Sequence, residues 1–512
     1  MGGFTLDSIL ARNLPSQGTE AGRVALVFMN REHTFEEIDA RAESLAAGLI
    51  GHGFVKGDRV CILAKNRAEW FELFFALAKI GGVIVPVNYL LKPKEAQHIV
   101  EDSGATWFIG EDSLWSTVDG FRKDAASHIR YISLGEDQAD ATPYEILCAP
   151  SGQPRPQVDV SPDDLVLLQY TSGTTGFPKG AMHTHSTILW NTIHQISDFS
   201  ITRDDVHLVI PAMCWAAGFH SFTLAVMWAG GKIILNPSRN FDAHEFGATV
   251  TQHGVTKTIL VPSVLRRVLD TDAIESHDLS SLNLVLSGGE PVPIEAIEEW
   301  NRRVPTCFLL QGYGMGEFPT LMLYLAPEDA VRKAGAAGKP CLVAQIRVVD
   351  ESFTDVPVGN VGEIVVLSPA CTVGYYGKPE ATAQAFVHGW MRTGDLAKVD
   401  DEGYVHVSGR AKEMIISGGL NVYPAEVERV LLMADGVLEA AVVGEPDDKW
   451  GEIIHAFVVP KPGSTVEAKD LESRCSDELA NFKIPRRWTI RDEPLPRTTS
   501  GKIQRHVLSG KH

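Results

Sequence analysis

The sequence predicts an α/β protein with a large N-terminal part and a small C-terminal α+β domain, and three observations carry that expectation. Short apolar runs alternate with segments of helical period from residue 34 onwards, glycine-rich loops follow two of the apolar runs, and beyond residue 409 the texture changes to short strands at hairpin spacing. With 512 residues, 44% of them hydrophobic, the chain has the material for several domains at ~100–200 residues each. Its 46 basic and 65 acidic residues leave a net charge of −19, which repels phosphate backbones and anionic lipid. Nucleic-acid binding and membrane insertion are therefore not expected, unless a basic patch is segregated somewhere.

In chain order, Thr34 and Glu37 have the spacing of a capping box, so a helix is expected to start at Phe35. RVCILA (59–64) reads as a strand, 67–80 as a helix, VIVPVN (83–88) as a strand, and ATWFIG (105–110) as a strand after another helix. Strand and helix in alternation mean a largely parallel sheet covered by helices. The most apolar stretch, 71–87, is broken by Glu72, Lys79, Gly81, Gly82 and Pro86, and reads as a buried helix followed by a strand rather than a membrane span. Four prolines between 149 and 162 mark a surface connection. LVLLQY (165–170) is a strand running into a glycine-rich loop, and 282–290 repeats that arrangement before a helix near Pro293. Further on, 437–443 and 453–459 read as a strand pair and 466–480 as a helix. The expected boundary at 409–412 divides the chain into domains 1–409 and 410–512.

The seven cysteines are scattered with no CxxC pair, which fits a reduced, cytoplasmic setting. The first residues contain no signal-peptide core, and Leu6 stands where a myristoylation pattern wants Ser or Thr, so no leader or lipid anchor is expected.

The strongest chemical signal is YTSGTTGFPKG (170–180). Thr171, Ser172, Gly173, Thr174 and Thr175 crowd hydroxyls and open backbone into a loop directly after a strand, and Lys179 adds positive charge, a composition suited to phosphate oxygens. The order differs from GxxxxGK[ST], and Pro178 removes a backbone donor where a helix would have to begin.

This loop resembles the signature of the adenylate-forming superfamily, which includes the acyl- and aryl-CoA synthetases. Further landmarks follow in order: SGGEPVP (287–293), YGMGE (313–317), GYYGKPEATAQAF (374–386), WMRTGD (390–395), GRAKEMIISGGLNVYPAEVE (409–428) and PRTTSGK (496–502). The resemblance implies an α/β adenylation domain of several subdomains with a small mobile C-terminal domain. It also implies an AMP-forming carboxylic acid:CoA ligase: carboxylate and MgATP give acyl-AMP and pyrophosphate, and a thiol then displaces AMP. The length is similar to that of a stand-alone CoA ligase with no carrier domain appended.

Residue by residue, the resemblance implies that Thr171 to Thr175 and Lys179 surround the ATP phosphates, and that Glu317 is the Mg2+ carboxylate. Gly288, Gly289 and Glu290 would lie along the adenine, Tyr313 and the adjoining Gly314 at its face, and Asp395 with Arg410 at the ribose. Lys502 would reach the acyl carboxylate and the α-phosphate, Lys412 would be the hinge of the C-terminal domain, and Gly418 and Gly419 would leave room for the pantetheine arm of CoA. ATP, Mg2+ and CoA are the expected cofactor and co-substrates, and a small carboxylic acid is the expected partner. A homodimer is compatible with this reading.

Two positions depart from the pattern. Gly316 stands where the family's YGxTE has a threonine whose hydroxyl meets the α-phosphate, a hydrogen bond of ~1.5–3 kcal/mol. Trp215, in PAMCWAAGFH (211–220), stands where histidine is common, so Trp215 could gate or shape the acid pocket or could simply be core. His220 and Met315 are further pocket candidates. HTH at 183–185 has no third ligand nearby in sequence and is expected to be structural. The departures keep open a carrier-protein thiol as acceptor or an unusual oxyacid such as nitrite as substrate. A non-catalytic nucleotide sensor is argued against by the presence of Lys502, Glu317 and Asp395. The basic patch required above does exist: 483–512 holds eight Lys and Arg against Asp492 and Glu493, in the segment that carries Lys502.

Overall fold

Parallel strands joined by helices account for most of the first 345 residues, as the alternating pattern dictates. The structure is a computed structural model that describes residues 4–123, 125, 128–149, 157–171, 178–237, 240–290, 292–417, 420–447, 449–497 and 503–510. By its internal contacts the chain divides into two units, residues 1–345 with 367–391, and 346–366 with 392–512.

The first unit contains two sheets. The seven-stranded sheet places Arg59–Leu63 between Val83–Pro86 and Trp107–Glu111, and Leu165–Thr171 follows Val83–Pro86, all in parallel. Lys179–Thr184 closes that edge by pairing antiparallel with Leu165–Thr171. In the nine-stranded sheet, Lys232–Leu235, Val206–Val209, Lys257–Ile259, Leu284–Gly288 and Phe308–Met315 run parallel, and Phe318–Leu325 turns back antiparallel. One core joins the facing sides of both sheets through the helices Phe35–Gly51, Glu69–Ile80, His185–Asp198 and Thr223–Ala229. The helix Glu69–Ile80 has almost every side chain buried, which explains why its sequence is apolar all round. Its one lysine, Lys79, is held by Asp7, Asp39 and Glu43 at 2.7, 2.8 and 3.1 Å. The expected capping box at Phe35 is present, with Thr34 and Glu37 each accepting from the other's backbone N–H. Among the described residues no helix is long and apolar enough to cross a membrane.

The second unit holds two smaller sheets. Gly362–Leu367, Trp390–Val399 and Val405–Arg410 belong to one. In the other, Val437–Asp447 and Gly451–Pro460 form the long antiparallel pair foreseen from the sequence, and helices Pro424–Leu432 and Ala468–Glu478 cover one face.

Candidate active site

Strand Leu165–Thr171 leaves the sheet edge, and Lys179–Thr184 returns beside it with Thr171 paired to Lys179. The glycine-rich segment therefore closes a β-hairpin and does not enter a helix, which is the physical difference from a P-loop that Pro178 signalled. Thr171 and Lys179 flank the loop. Ser172, Gly173, Thr174 and Thr175 lie outside the described residues, as do Gly418, Gly419 and Lys502.

The turn after Phe308–Met315 brings Glu317 to Thr171 from the other sheet. Thr171 Oγ1 donates to Glu317 Oε1 at 3.0 Å, and the hydroxyl of Tyr375 donates to the same oxygen at 2.9 Å. Glu317 is buried, and its backbone carbonyl accepts from Thr372 N–H at 2.7 Å. Among the described residues no cation pairs with this carboxylate. Lys179 instead places its ammonium 5.4 Å from the centre of the Tyr375 ring, a cation–π contact. A buried carboxylate held only by neutral hydroxyls is a hard oxygen donor with charge to spare, and this fits Mg2+.

Gly288 and Gly312 are paired in register at the carboxyl ends of neighbouring parallel strands. A Cβ at Gly288 would lie 2.2 Å from the Gly312 carbonyl oxygen, and one at Gly314 would fall 1.2 Å from that of Thr320, so the strands require glycine for close approach. Gly289 has φ +87°, and Glu290 beyond it is exposed. Tyr313 and Met315 are half-buried beside them. Gly288 to Glu290, Tyr313 to Glu317 and Thr171 thus gather where parallel strands end, the region in which open α/β sheets bind ligands.

Trp215 starts the short helix Ala216–Phe219 and is half-buried against the core of this unit. His220 is 2% exposed, with Phe74 and Phe219 edge-on to its ring, and burial lowers its pKa to about 3. His183 and His185 are buried too, each with a pKa lowered to about 4 by desolvation. Neutral His183 donates from Nε2 to the Gly316 carbonyl at 2.9 Å, a role that supports the structural reading of HTH.

Within the second unit, Asp395 and Arg410 are cross-strand partners, with Arg410 Nε 2.6 Å from Asp395 Oδ1 and Arg410 Nη1 donating to the Thr393 carbonyl at 3.2 Å. Lys412 is exposed in the turn Ala411–Glu413. Three residues beyond Lys502, Arg505 is clamped by the buried Glu428 at 2.9 Å and by Glu413 at 3.0 Å.

The sequence reading assigned no role to Tyr375 or His183. Tyr375 lies inside GYYGKPE, so its motif was visible, but its contact with Glu317 spans 58 positions and depends on the fold.

The family model for AMP-binding enzymes matches residues 16–376, and that for the AMP-binding enzyme C-terminal domain matches 426–502. The chain belongs to the AMP-binding enzyme family. Among curated relatives it is 38% identical over 471 residues to a feruloyl-CoA synthase of an Amycolatopsis species, covering 92% of each chain. It is 35% identical over 490 residues to an indoleacetate–CoA ligase of Aromatoleum aromaticum, covering 95% of each. Among solved structures, it resembles the anthranilate CoA ligase AuaEII in complex with anthranoyl-AMP, with a TM-score of 0.89, 28% identity, and 100% of this chain and 97% of that one covered. This family member is one of the adenylate-forming acyl- and aryl-CoA synthetases, an AMP-forming acid–thiol ligase with a large α/β part and a small C-terminal domain.

Proposed function

We propose that this ligase activates an aryl or arylalkanoic acid and transfers it to CoA, and that Glu317, held by Thr171 and Tyr375, is the observation that carries the reading. A carboxylate is a poor electrophile, and its attack on ATP brings two anions together. Catalysis is then mainly positioning and charge neutralisation. Glu317 would hold Mg2+, which supplies positive charge to phosphate oxygens when bound. Thr171 to Thr175 and Lys179 would take the β- and γ-phosphates, Gly288 to Glu290 with Tyr313 the adenine, and Asp395 with Arg410 the ribose hydroxyls. Lys502 would stabilise the charge that develops as acyl-AMP forms. The C-terminal domain, beginning at 410, would then turn about Lys412 and bring Gly418 and Gly419 to the thiol. Trp215, His220, Met315 and Gly316 would border the acid.

The aryl class is supported by the feruloyl-CoA synthase and indoleacetate–CoA ligase among the relatives and by the half-buried indole of Trp215. A cytoplasmic setting is supported by seven buried, unpaired cysteines. A carrier-protein thiol as acceptor is the second reading, favoured by the 35% identity to a fatty acid–[acyl-carrier-protein] ligase of Streptomyces coeruleorubidus.

The test is ATP-dependent pyrophosphate release from a panel of aryl, arylalkanoic and fatty acids, with and without CoA. Release that leads to a CoA thioester with an aryl acid is expected. Release without CoA-thioester formation favours the carrier, and no release with any acid contradicts the ligase reading.

A further inference from the structure

We propose that Gly316 and Thr171 are a matched pair, in which the methyl of Thr171 occupies the space of a side chain at 316 and so keeps the Thr171 hydroxyl on Glu317. This rests on the reading of Glu317 as the working carboxylate, and adds which residues place it and why the chain departs from YGxTE.

Backbone conformation does not require glycine here, because Gly316 lies outside the left-handed region. Space does. A Cβ at 316 would lie 2.3 Å from Thr171 Cγ2 and 3.5 Å from Gln169 Cγ. The first distance is far inside van der Waals contact, so one partner has to move. The backbone of Gly316 is held on both sides. Its carbonyl accepts from His183 Nε2 at 2.9 Å, the carbonyl of Glu317 accepts from Thr372 N–H at 2.7 Å, and Met315 pairs with both Phe318 and Pro319. The backbone of Thr171 is held by its pairing with Lys179.

What can yield is the χ1 rotamer of Thr171. A threonine carries its methyl and hydroxyl on the same carbon, so a 120° swing of the methyl away from 316 also takes Oγ1 off Glu317 Oε1. Glu317 would then keep only the Tyr375 hydroxyl. Thr171 is thus a positioning residue for Glu317, and Gly316 is the gap that lets it act. The threonine of the family pattern is incompatible with Thr171 as it stands in this chain.

A double-mutant cycle tests the pair. Thr171→Ser removes Cγ2 and keeps the hydroxyl, and Gly316→Ala adds only Cβ. Each variant and the combination are measured by acid-dependent ATP–pyrophosphate exchange and by thermal melting without ligand. Gly316→Ala is expected to lower exchange about 10-fold or more against the wild type, but less than about 3-fold when the reference is Thr171→Ser. It is expected to lower the melting temperature only where Thr171 keeps its methyl. No loss from Gly316→Ala alone, or equal losses in both backgrounds, would overturn the pairing. If Gly316→Ala fails to fold, recovery of folding in the double variant supports the pair and continued failure refutes it. If the wild type exchanges pyrophosphate with no acid, the ligase reading fails, and the melting cycle alone still decides the pair.

Discussion

Glu317 and Asp395 are both buried carboxylates on motif residues, yet the protein holds them in opposite ways. Two neutral hydroxyls hold Glu317, and among the described residues no cation pairs with it. Asp395 sits 2.6 Å from the Arg410 guanidinium, its partner across the strands. A buried anion without a cation is costly, and one with a good partner is compensated. The contrast teaches which charge is kept for a ligand. The second unit repeats the self-paired pattern at Arg505, Glu428 and Glu413.

The comparison can be broken at several points. The largest effect is expected for Lys502→Ala, which should abolish acyl-AMP formation, a loss of ~10²–10³-fold or more, while thioester formation from supplied acyl-AMP continues. Equal loss of both half-reactions, measured separately, would remove Lys502 from the adenylation step. Next, Glu317→Gln keeps an acceptor for both hydroxyls and deletes the charge, so adenylation should fall ~10²-fold and its Mg2+ requirement should rise. A magnesium titration of pyrophosphate exchange reads both.

Tyr375→Phe removes one charge-assisted hydrogen bond worth ~1.5–3 kcal/mol, and exchange should drop about 10-fold. Unchanged exchange would mean that Thr171 alone suffices.

The smallest effect at neutral pH concerns the buried histidines. His183, His185 and His207 have pKa values lowered to about 4 and His220 to about 3, all mainly by desolvation. The unfolded chain takes up protons near pH 6.5 and the folded chain does not. Stability is therefore intact above pH 6.5 and declines as pH falls towards 4, by ~1.4 kcal/mol per pH unit for each such histidine. Denaturant melts from pH 7 to 4.5 should show this slope, and His183→Gln should make it shallower by one histidine's share.

Much of this architecture was legible in the sequence because its signals are local. The capping box at Thr34, the strand before the glycine-rich loop and the pair 437–443 with 453–459 each need only neighbouring residues. The hairpin closed by Lys179 was only half legible, since Pro178 argued against a helix without saying that the chain turns back. What escaped was long-range contact. Tyr375 on Glu317 joins residues far apart in sequence, and so does the Thr171 methyl that fills the space at Gly316. Gly316 was visible as a departure, but its reason lies on a strand of the other sheet.

The central claim is that Glu317 is kept charged for a ligand and Asp395 for its own partner. Thermal melting of Glu317→Gln and Asp395→Asn, each with and without MgATP, tests it most directly. Glu317→Gln should melt at or above the wild-type temperature without ligand and lose the stabilisation that MgATP confers, whereas Asp395→Asn should melt lower even without ligand because Arg410 loses its partner. Glu317→Gln melting as low as Asp395→Asn without ligand, or keeping the full MgATP stabilisation, would contradict the account.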